Sequence, residues 1–411
     1  MAAVAARAQA GRASAIEDIA IACSRRRRCG SRIDAFIGRA SGGSCPDSST
    51  PAAPPTTTLP CAGRGRPGAI DYDRRLPAST TRMIESPRRR LFLAALPALA
   101  VLPAFATRAM RPEQGTEPAP FAAGATADEV LEGLDLGGRT IVVTGCNSGI
   151  GLETMRALAA RGAHVIGTAR DAARGRAACD AVRGRATPVV LELTEPDSIV
   201  ACARTVRTLV PRIDALVCNA GIVIGSHEQV GGVEKQFAVN HLGHFLLVNH
   251  LLEPVLAARG RVVVVGSGNH RDAPGGGIRF EDLSGTGWYR RGYSHSKLAN
   301  GLFSFELARR LTGTGATSNC VTPGHTRTSI LRSTGSGYAD TARTPAQGAA
   351  MPCFAAAHPA MAGVNGSYMS DFRAAPQAAA QTDAAMAARL WRVSESLVEA
   401  HLQPWPRALR D

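Results

Sequence analysis

Tyr293-Ser294-His295-Ser296-Lys297 places a phenol and an ammonium four residues apart, which puts them on one face if the segment is helical. A free tyrosine ionises near pH 10, and a cation one turn away favours the phenolate; lowering that pKa by about 3 units needs roughly 4 kcal/mol. Such a tyrosine could exchange a proton near neutral pH. Of the 47 basic residues only Lys235 and Lys297 are lysine, so a generic cation at position 297 would have been Arg, and a lysine's compact charge is what the position selects. Ser267 follows the apolar run 262–265 after one glycine, and its hydroxyl can donate to a carbonyl oxygen as charge develops there. Taken singly these signals are weak, since Tyr-x-x-x-Lys is a frequent spacing and a serine between Gly266 and Gly268 could simply cap a turn.

A second constellation concerns phosphate. Thr144-Gly145-Cys146-Asn147-Ser148-Gly149-Ile150-Gly151 ends an aliphatic run and opens a helical one. Gly145, Gly149 and Gly151 permit a tight turn and close backbone approach to a phosphate, while the helix start supplies N–H groups and the positive end of a dipole. In a chain with 43 Gly such spacing proves little. Its position between the first strand and the first long helix is what points to a dinucleotide site. At the tip of the next strand, where an acid would bind both ribose hydroxyls, stands Ala169, and Arg170 follows with a guanidinium suited to a 2′-phosphate. NADP(H) is therefore expected ahead of NAD(H), although Asp171 lies beside Arg170.

The elements that must hold these residues can be read from periodicity. Short β-branched or aliphatic runs fall at 140–144, 164–168, 188–193, 215–218, 261–265, 318–321 and, more weakly, 366–370, with helix-like stretches such as 149–160, 196–209 and 236–256 between them. Near-continuous apolar strands alternating with helices predict an α/β fold, a Rossmann-type doubly wound parallel sheet of about seven strands covered on both faces. Ligands of such sheets sit at the carboxyl ends of the strands.

These motifs together resemble the short-chain dehydrogenase/reductase family. The residues that carry the resemblance are the glycine loop, Cys218-Asn219-Ala220-Gly221, the Tyr293/Lys297 pair with Ser267 upstream, and Pro323-Gly324. Val239-Asn240-His241-Leu242-Gly243-His244-Phe245-Leu246-Leu247, Tyr293 to Asn300, Gly366-Ser367-Tyr368 and Leu390 to Glu395 narrow it to the retinol-dehydrogenase-like branch that includes the WW-domain-containing oxidoreductase. No WW module is visible, since Trp288, Trp391 and Trp405 lie within or after the matching region. The resemblance implies hydride transfer between a nicotinamide and a carbonyl/alcohol substrate, apolar in character. It assigns Tyr293 as general acid or base, Lys297 as its partner and a ligand of the nicotinamide ribose, Ser267 as the carbonyl donor and Asn240 as the holder of a relay water. Gly145, Asn147, Ser148, Gly149, Ile150 and Gly151 would cradle the pyrophosphate. Glu192-Leu193 replaces the usual Asp-Leu near the adenine, Asn219-Ala220-Gly221 would support the cleft, and Pro323, Gly324 and Thr328 would cover the carboxamide. Only fifteen residues separate Thr328 from Thr344, a short lid for this branch. Two alternatives stay open: a non-catalytic NADP(H)-binding sensor or scaffold, and a protochlorophyllide-reductase-like enzyme, against which stands His325 where that family carries cysteine.

The rest of the chain differs in kind. Residues 1–106 carry +9 of the formal +14 charge, and residues 1–85 are rich in Arg, Ala, Ser, Pro and Thr, with no apolar periodicity. Arg- and Ser-rich, acid-poor composition is that of a transit peptide, and Arg89-Arg90 before the apolar segment 91–106, which ends Ala104-Phe105-Ala106, resembles a twin-arginine export signal. Sixteen apolar residues broken by Pro97 and Pro103 are short of a membrane span. The expected organisation is a targeting leader (1–106), a linker (107–124), a catalytic domain (125–402) and a tail (403–411). A plastid address is favoured; bacterial-type export, membrane association, or a cytoplasmic protein with an over-extended gene start are the alternatives. The basic leader lacks interleaved aromatics, so no nucleic-acid partner is expected, whereas membrane contact and a homodimer are left open. Cys23, Cys29, Cys45 and Cys61 fall in the leader; the other six cysteines lack metal-ligand spacing, and neither a metal site nor a disulfide framework is expected.

Overall fold

The computed structural model describes residues 120–330 and 342–409. The leader with its export motif and four cysteines, most of the linker, and much of the segment between Thr328 and Thr344 lie outside the described residues. Parallel strands β1 (Thr140–Val143), β2 (His164–Ala169), β3 (Arg185–Val190) and β4 (Ala215–Cys218) are followed by a small hairpin, β5 (Gln229–Val230) and β6 (Val233–Glu234). The sheet continues with β7 (Arg261–Val265), β8 (Thr317–Val321) and β9 (Tyr368–Ser370) and closes on an antiparallel edge strand, β10 (Arg373–Ala374). Its order is β10-β9-β8-β7-β4-β1-β2-β3. The doubly wound parallel sheet expected from the sequence is thus present, with the short antiparallel edge added.

Alternation along the strands explains the two layers. Val142, Leu216, Val262 and Val264 point into one core with Ile199 of α4 (Pro196–Leu209), Phe245 of α5 (Gly243–Ala258), Leu302 of α6 (Gly292–Arg310) and Trp391 of α8 (Ala384–Leu397). Their neighbours Ile141, Val143, Val217 and Val263 point the other way, into a core with Val130 of α1 (Ala127–Val130), Leu158 of α2 (Gly149–Ala160), Cys179 of α3 (Ala172–Asp180) and Phe354 of α7 (Pro345–Ala357). A period of two in a sheet covered on both faces produces this division.

Two elements depart from expectation. The third strand ends at Val190 instead of 193: Leu191 makes the last bond to β2, and then Glu192 Oε1 accepts from the Thr194 N–H at 3.1 Å and turns the chain toward α4. The stretch 236–256 is not one α-helix. A helical turn at Lys235–Phe237 passes into a π-helical turn, Ala238–Leu242, before α5 begins. Gly243 sits where the bulge meets the β3–α4 turn, and a Cβ there would lie 2.8 Å from the Leu193 carbonyl oxygen.

Strand β1 pairs with β2 on one side and β4 on the other, so the chain reverses its direction of progress across the sheet at this point. The crevice at the carboxyl ends of β1 and β4 is the topological switch where doubly wound sheets bind ligands.

Candidate active site

The coenzyme side of the site begins where β1 ends. Gly145 and Gly149 have φ of 72° and 59°, a region that favours glycine. A Cβ on Gly145 would press on Ala220 at 3.0 Å, one on Gly149 would approach Thr328 Cγ2 at 3.3 Å, and one on Gly151 would collide with the Gly145 carbonyl oxygen. Ser148 occupies the cap position of α2 without a side-chain capping bond, which leaves the helix's opening N–H groups to a ligand. A cradle that any side chain would fill, at a helix start, fits a pyrophosphate. Asn219 locks the loop from β4, its Nδ2 donating to the Thr144 carbonyl at 2.8 Å. Thr328 lies across the glycine loop, and Pro323 and Gly324 lead to it from β8; the Pro323 carbonyl accepts from the Arg343 guanidinium at 3.1 Å.

Ala169 is buried at the tip of β2 and Arg170 is exposed immediately after it. Asp171 is committed elsewhere, since its Oδ1 accepts from the Arg174 N–H at 2.8 Å and caps α3. The carboxylate beside the guanidinium is therefore occupied with the helix. Glu192 is half-buried, and Leu193 is buried beneath Gly243.

The reacting side chains come from three elements. Tyr293 lies in the first turn of α6 and Lys297 one turn further, with Lys297 Nζ 5.6 Å from the Tyr293 ring centroid. The ammonium donates to the Val265 carbonyl at 2.8 Å, at the end of β7. Ser267 follows that strand beside the Tyr293 phenol, on whose pKa it acts, and its Oγ accepts from the Asn269 N–H at 3.2 Å. Asn240, wholly buried in the π-helical turn, accepts from the Ile222 N–H at 2.8 Å and donates to the Ile222 carbonyl at 3.1 Å and to Ser296 Oγ at 2.9 Å. A Cβ on Gly221 would meet both Asn240 Oδ1 and Lys297 Nζ within 4 Å, so the Asn219-Ala220-Gly221 turn runs beside these two groups.

The electrostatic balance differs from the expected one in one respect. Burial holds the Tyr293 phenol above its ordinary value, and the Ser267 hydrogen bond is the opposing influence. The Lys297 ammonium, bonded to the Val265 carbonyl, is itself pulled down to about 8 by burial. Burial likewise pushes up the thiols of Cys202, Cys218 and Cys320 and keeps them inert. Three residues in this network were not singled out from the sequence: Thr144, His244 and Ser296. The signal was present for His244, which stands four residues after Asn240, the spacing that places two residues on one face.

Known proteins place this geometry. The family described as short chain dehydrogenase matches residues 139–339. The human WW domain-containing oxidoreductase is 37% identical over 300 residues, which cover 67% of this chain and 72% of that protein. The chain belongs to the short-chain dehydrogenase/reductase family. Retinol dehydrogenase 14 of Mus musculus is 36% identical over 290 residues, covering 64% of this chain and 86% of that protein, which sets this short-chain dehydrogenase in the retinol-dehydrogenase-like branch. The chloroplastic short-chain dehydrogenase TIC 32 B of Brassica napus is 32% identical over 303 residues, 68% of this chain and 95% of that one. Among solved structures, an uncharacterised protein from Mycobacterium paratuberculosis matches with a TM-score of 0.57 at 32% identity, over 69% of this chain and 99% of that chain. As a short-chain dehydrogenase it is an oxidoreductase of alcohol and carbonyl groups, in a family that binds NAD(P).

Proposed function

We propose that this short-chain dehydrogenase transfers hydride between NADP(H) and an apolar carbonyl/alcohol substrate, with Asn240, Ser267, Tyr293 and Lys297 as its working tetrad. The observation that carries the reading is the convergence at the carboxyl edge of β7 of Ser267, Tyr293 and Lys297, whose Nζ lies 5.6 Å from the phenol ring and bonds the Val265 carbonyl. When bound, the nicotinamide supplies or accepts the hydride. The Ser267 hydroxyl and Tyr293 phenol then share the substrate oxygen. In reduction Tyr293 gives its proton to that oxygen as negative charge develops, and in oxidation it takes the alcohol's proton. Lys297 offsets the phenolate's charge, and Asn240 holds the water through which the proton is replaced. The raised phenol pKa keeps Tyr293 protonated at neutral pH in the free protein, which suits reduction.

NADP(H) is favoured over NAD(H) because Ala169 offers no carboxylate to the ribose and Arg170 is exposed beside it, with Asp171 engaged as a helix cap. An apolar substrate is suggested by likeness to retinol dehydrogenases. A plastid address is suggested by the leader's composition and by the chloroplastic relative. The deciding assay is turnover of a carbonyl panel that includes retinal with NADPH. Tyr293→Phe is expected to lower kcat by about 10²–10⁴-fold with NADPH affinity nearly unchanged. Tight NADPH binding with no turnover by either protein would instead support a sensor or scaffold.

A further inference from the structure

We propose that His244 is a positioning residue that joins the coenzyme-side turn at Asn219-Ala220 to Asn240 through one directional hydrogen-bond chain; its catalytic consequence rests on the tetrad reading above. His244 is buried in the first turn of α5, facing the end of β1. Its Nδ1 lies 3.1 Å from the Asn240 main-chain oxygen and its Nε2 lies 2.9 Å from Thr144 Oγ1. A carbonyl oxygen can only accept, so Nδ1 carries the hydrogen and Nε2 must accept from the Thr144 hydroxyl. The Thr144 oxygen is then left with its lone pairs, and it receives the N–H groups of Asn219 and Ala220, each at 2.9 Å. The hydroxyl's other acceptor, the Val217 carbonyl, is more distant at 3.4 Å, so the imidazole nitrogen at 2.9 Å takes the hydrogen.

The chain continues beyond Asn240. The Asn240 amide donates to Ser296 Oγ at 2.9 Å, and the Ser296 hydroxyl donates to the Tyr293 carbonyl at 2.8 Å. One imidazole thus connects residues a hundred positions apart in the sequence and reaches both halves of the site. It does so at the π-helical turn, where the widened backbone brings Asn240 to the crevice and the histidine side chain supplies a donor to the Asn240 carbonyl. Burial pushes His244 down to about 4, so the ring stays neutral and keeps one donor and one acceptor, as the chain requires. Phenylalanine of similar volume could fill the same space, and it could make neither bond.

The test compares the parent with His244→Phe, His244→Asn, Thr144→Val and Thr144→Ser. The readouts are NADPH affinity by fluorescence titration, reduction of retinal, and the tautomer of His244 by NMR of isotope-labelled histidine. The proposal expects the Nδ1–H tautomer in the parent and losses of about tenfold or more in both NADPH affinity and kcat for His244→Phe. His244→Asn, which places an amide N–H where Nδ1 stood, should regain kcat while NADPH binding stays weak. Thr144→Val should weaken NADPH about tenfold and Thr144→Ser should restore it. An Nε2–H tautomer, unchanged NADPH affinity in Thr144→Val, or equal losses in His244→Phe and His244→Asn would overturn the proposal. Should His244→Phe fail to fold, the Thr144 pair and the tautomer still decide. Turnover of retinal by Tyr293→Phe at the parent rate would sink the tetrad reading alone, leaving the NADPH and tautomer results to judge the chain.

Discussion

Lys297, which the proposed mechanism places beside the reacting phenol, carries a cost in stability. It is buried, and its folded pKa is lowered to about 8 from 10.5. Between those two values the unfolded chain binds the proton that the folded one has released, so stability rises with pH through that window; below pH 8 the full penalty of a buried charge is present. Lys297→Met should therefore be inactive yet more stable than the parent at pH 7, by about 2–3 kcal/mol or roughly 5–10 °C in Tm, with the gap closing as pH climbs toward 10. Removing the ammonium does not orphan the Val265 carbonyl, because Asn300 Nδ2 also donates to it at 3.3 Å. Thermal melts of both proteins at pH 7 and pH 10 check this, and a less stable Lys297→Met at pH 7 would contradict it. Arg170 makes the opposite kind of claim, since it is exposed and its proposed role is to hold a ligand. Arg170→Ala should weaken NADPH by tenfold or more and NADH by less than threefold; equal losses would assign Arg170 no part in the choice of coenzyme. Both residues were legible in the sequence because each was chemically unusual where it stood: a lysine in an arginine-rich chain, and a cation at a strand tip that commonly holds an acid. The partition of the lysine's hydrogen bond between phenol and Val265 was not legible, because it depends on where β7 ends in space.

At the scale of elements, strand runs and their alternation were readable because a two-sided parallel sheet needs apolar residues at nearly every position, and Val262 to Val265 satisfy both faces in turn. The π-helical turn was not readable. Its residues have the same apolar pattern an α-helix would show, and the extra residue per turn is stabilised by contacts from the segments that follow β4 and β1, such as Ile222 and Thr144. The glycine loop lies between these extremes: the spacing of its glycines was visible, while the reason for each one is a neighbour in space. Gly151 is the most constrained of the three, since it sits in α2 with ordinary helical backbone and is kept free of a side chain only by the Gly145 carbonyl and the Asn219 amide. Gly151→Ala should gain helix propensity yet lose about 1–3 kcal/mol through the forced displacement of the loop. NADPH affinity should fall more steeply than melting temperature. A variant that binds NADPH as the parent does would show that the cradle tolerates a methyl group and is wider than the contacts imply.

For the whole molecule, the question is what the excess positive charge serves. Within the described residues both hydrophobic layers are closed: α4, α5, α6 and α8 cover one face of the sheet and α1, α2, α3 and α7 the other, and residues beyond 402 add Trp405 to the first core, where its indole packs on Phe245 and Trp391. The buried residues that form these two cores run from Ala125 to Leu409. Yet residues 1–106 hold +9 of the +14 charge. The proposed reading of that charge is an address, as its transit-peptide-like composition implies. If the leader is a targeting sequence ending in the Ala104-Phe105-Ala106 signal, the mature protein from its native source begins at Thr107. Chain starting at residue 107 should match the full-length chain in melting temperature within about 2 °C and in NADPH affinity within twofold, since Thr126 and Glu129 form their own capping box and start the first helix independently of what precedes them. Amino-terminal sequencing of the native protein distinguishes the outcomes: Thr107 supports a removed signal, an intact Met1 refutes it, and a start at Met83 would shift the address from a two-part organelle signal to a bacterial-type export signal.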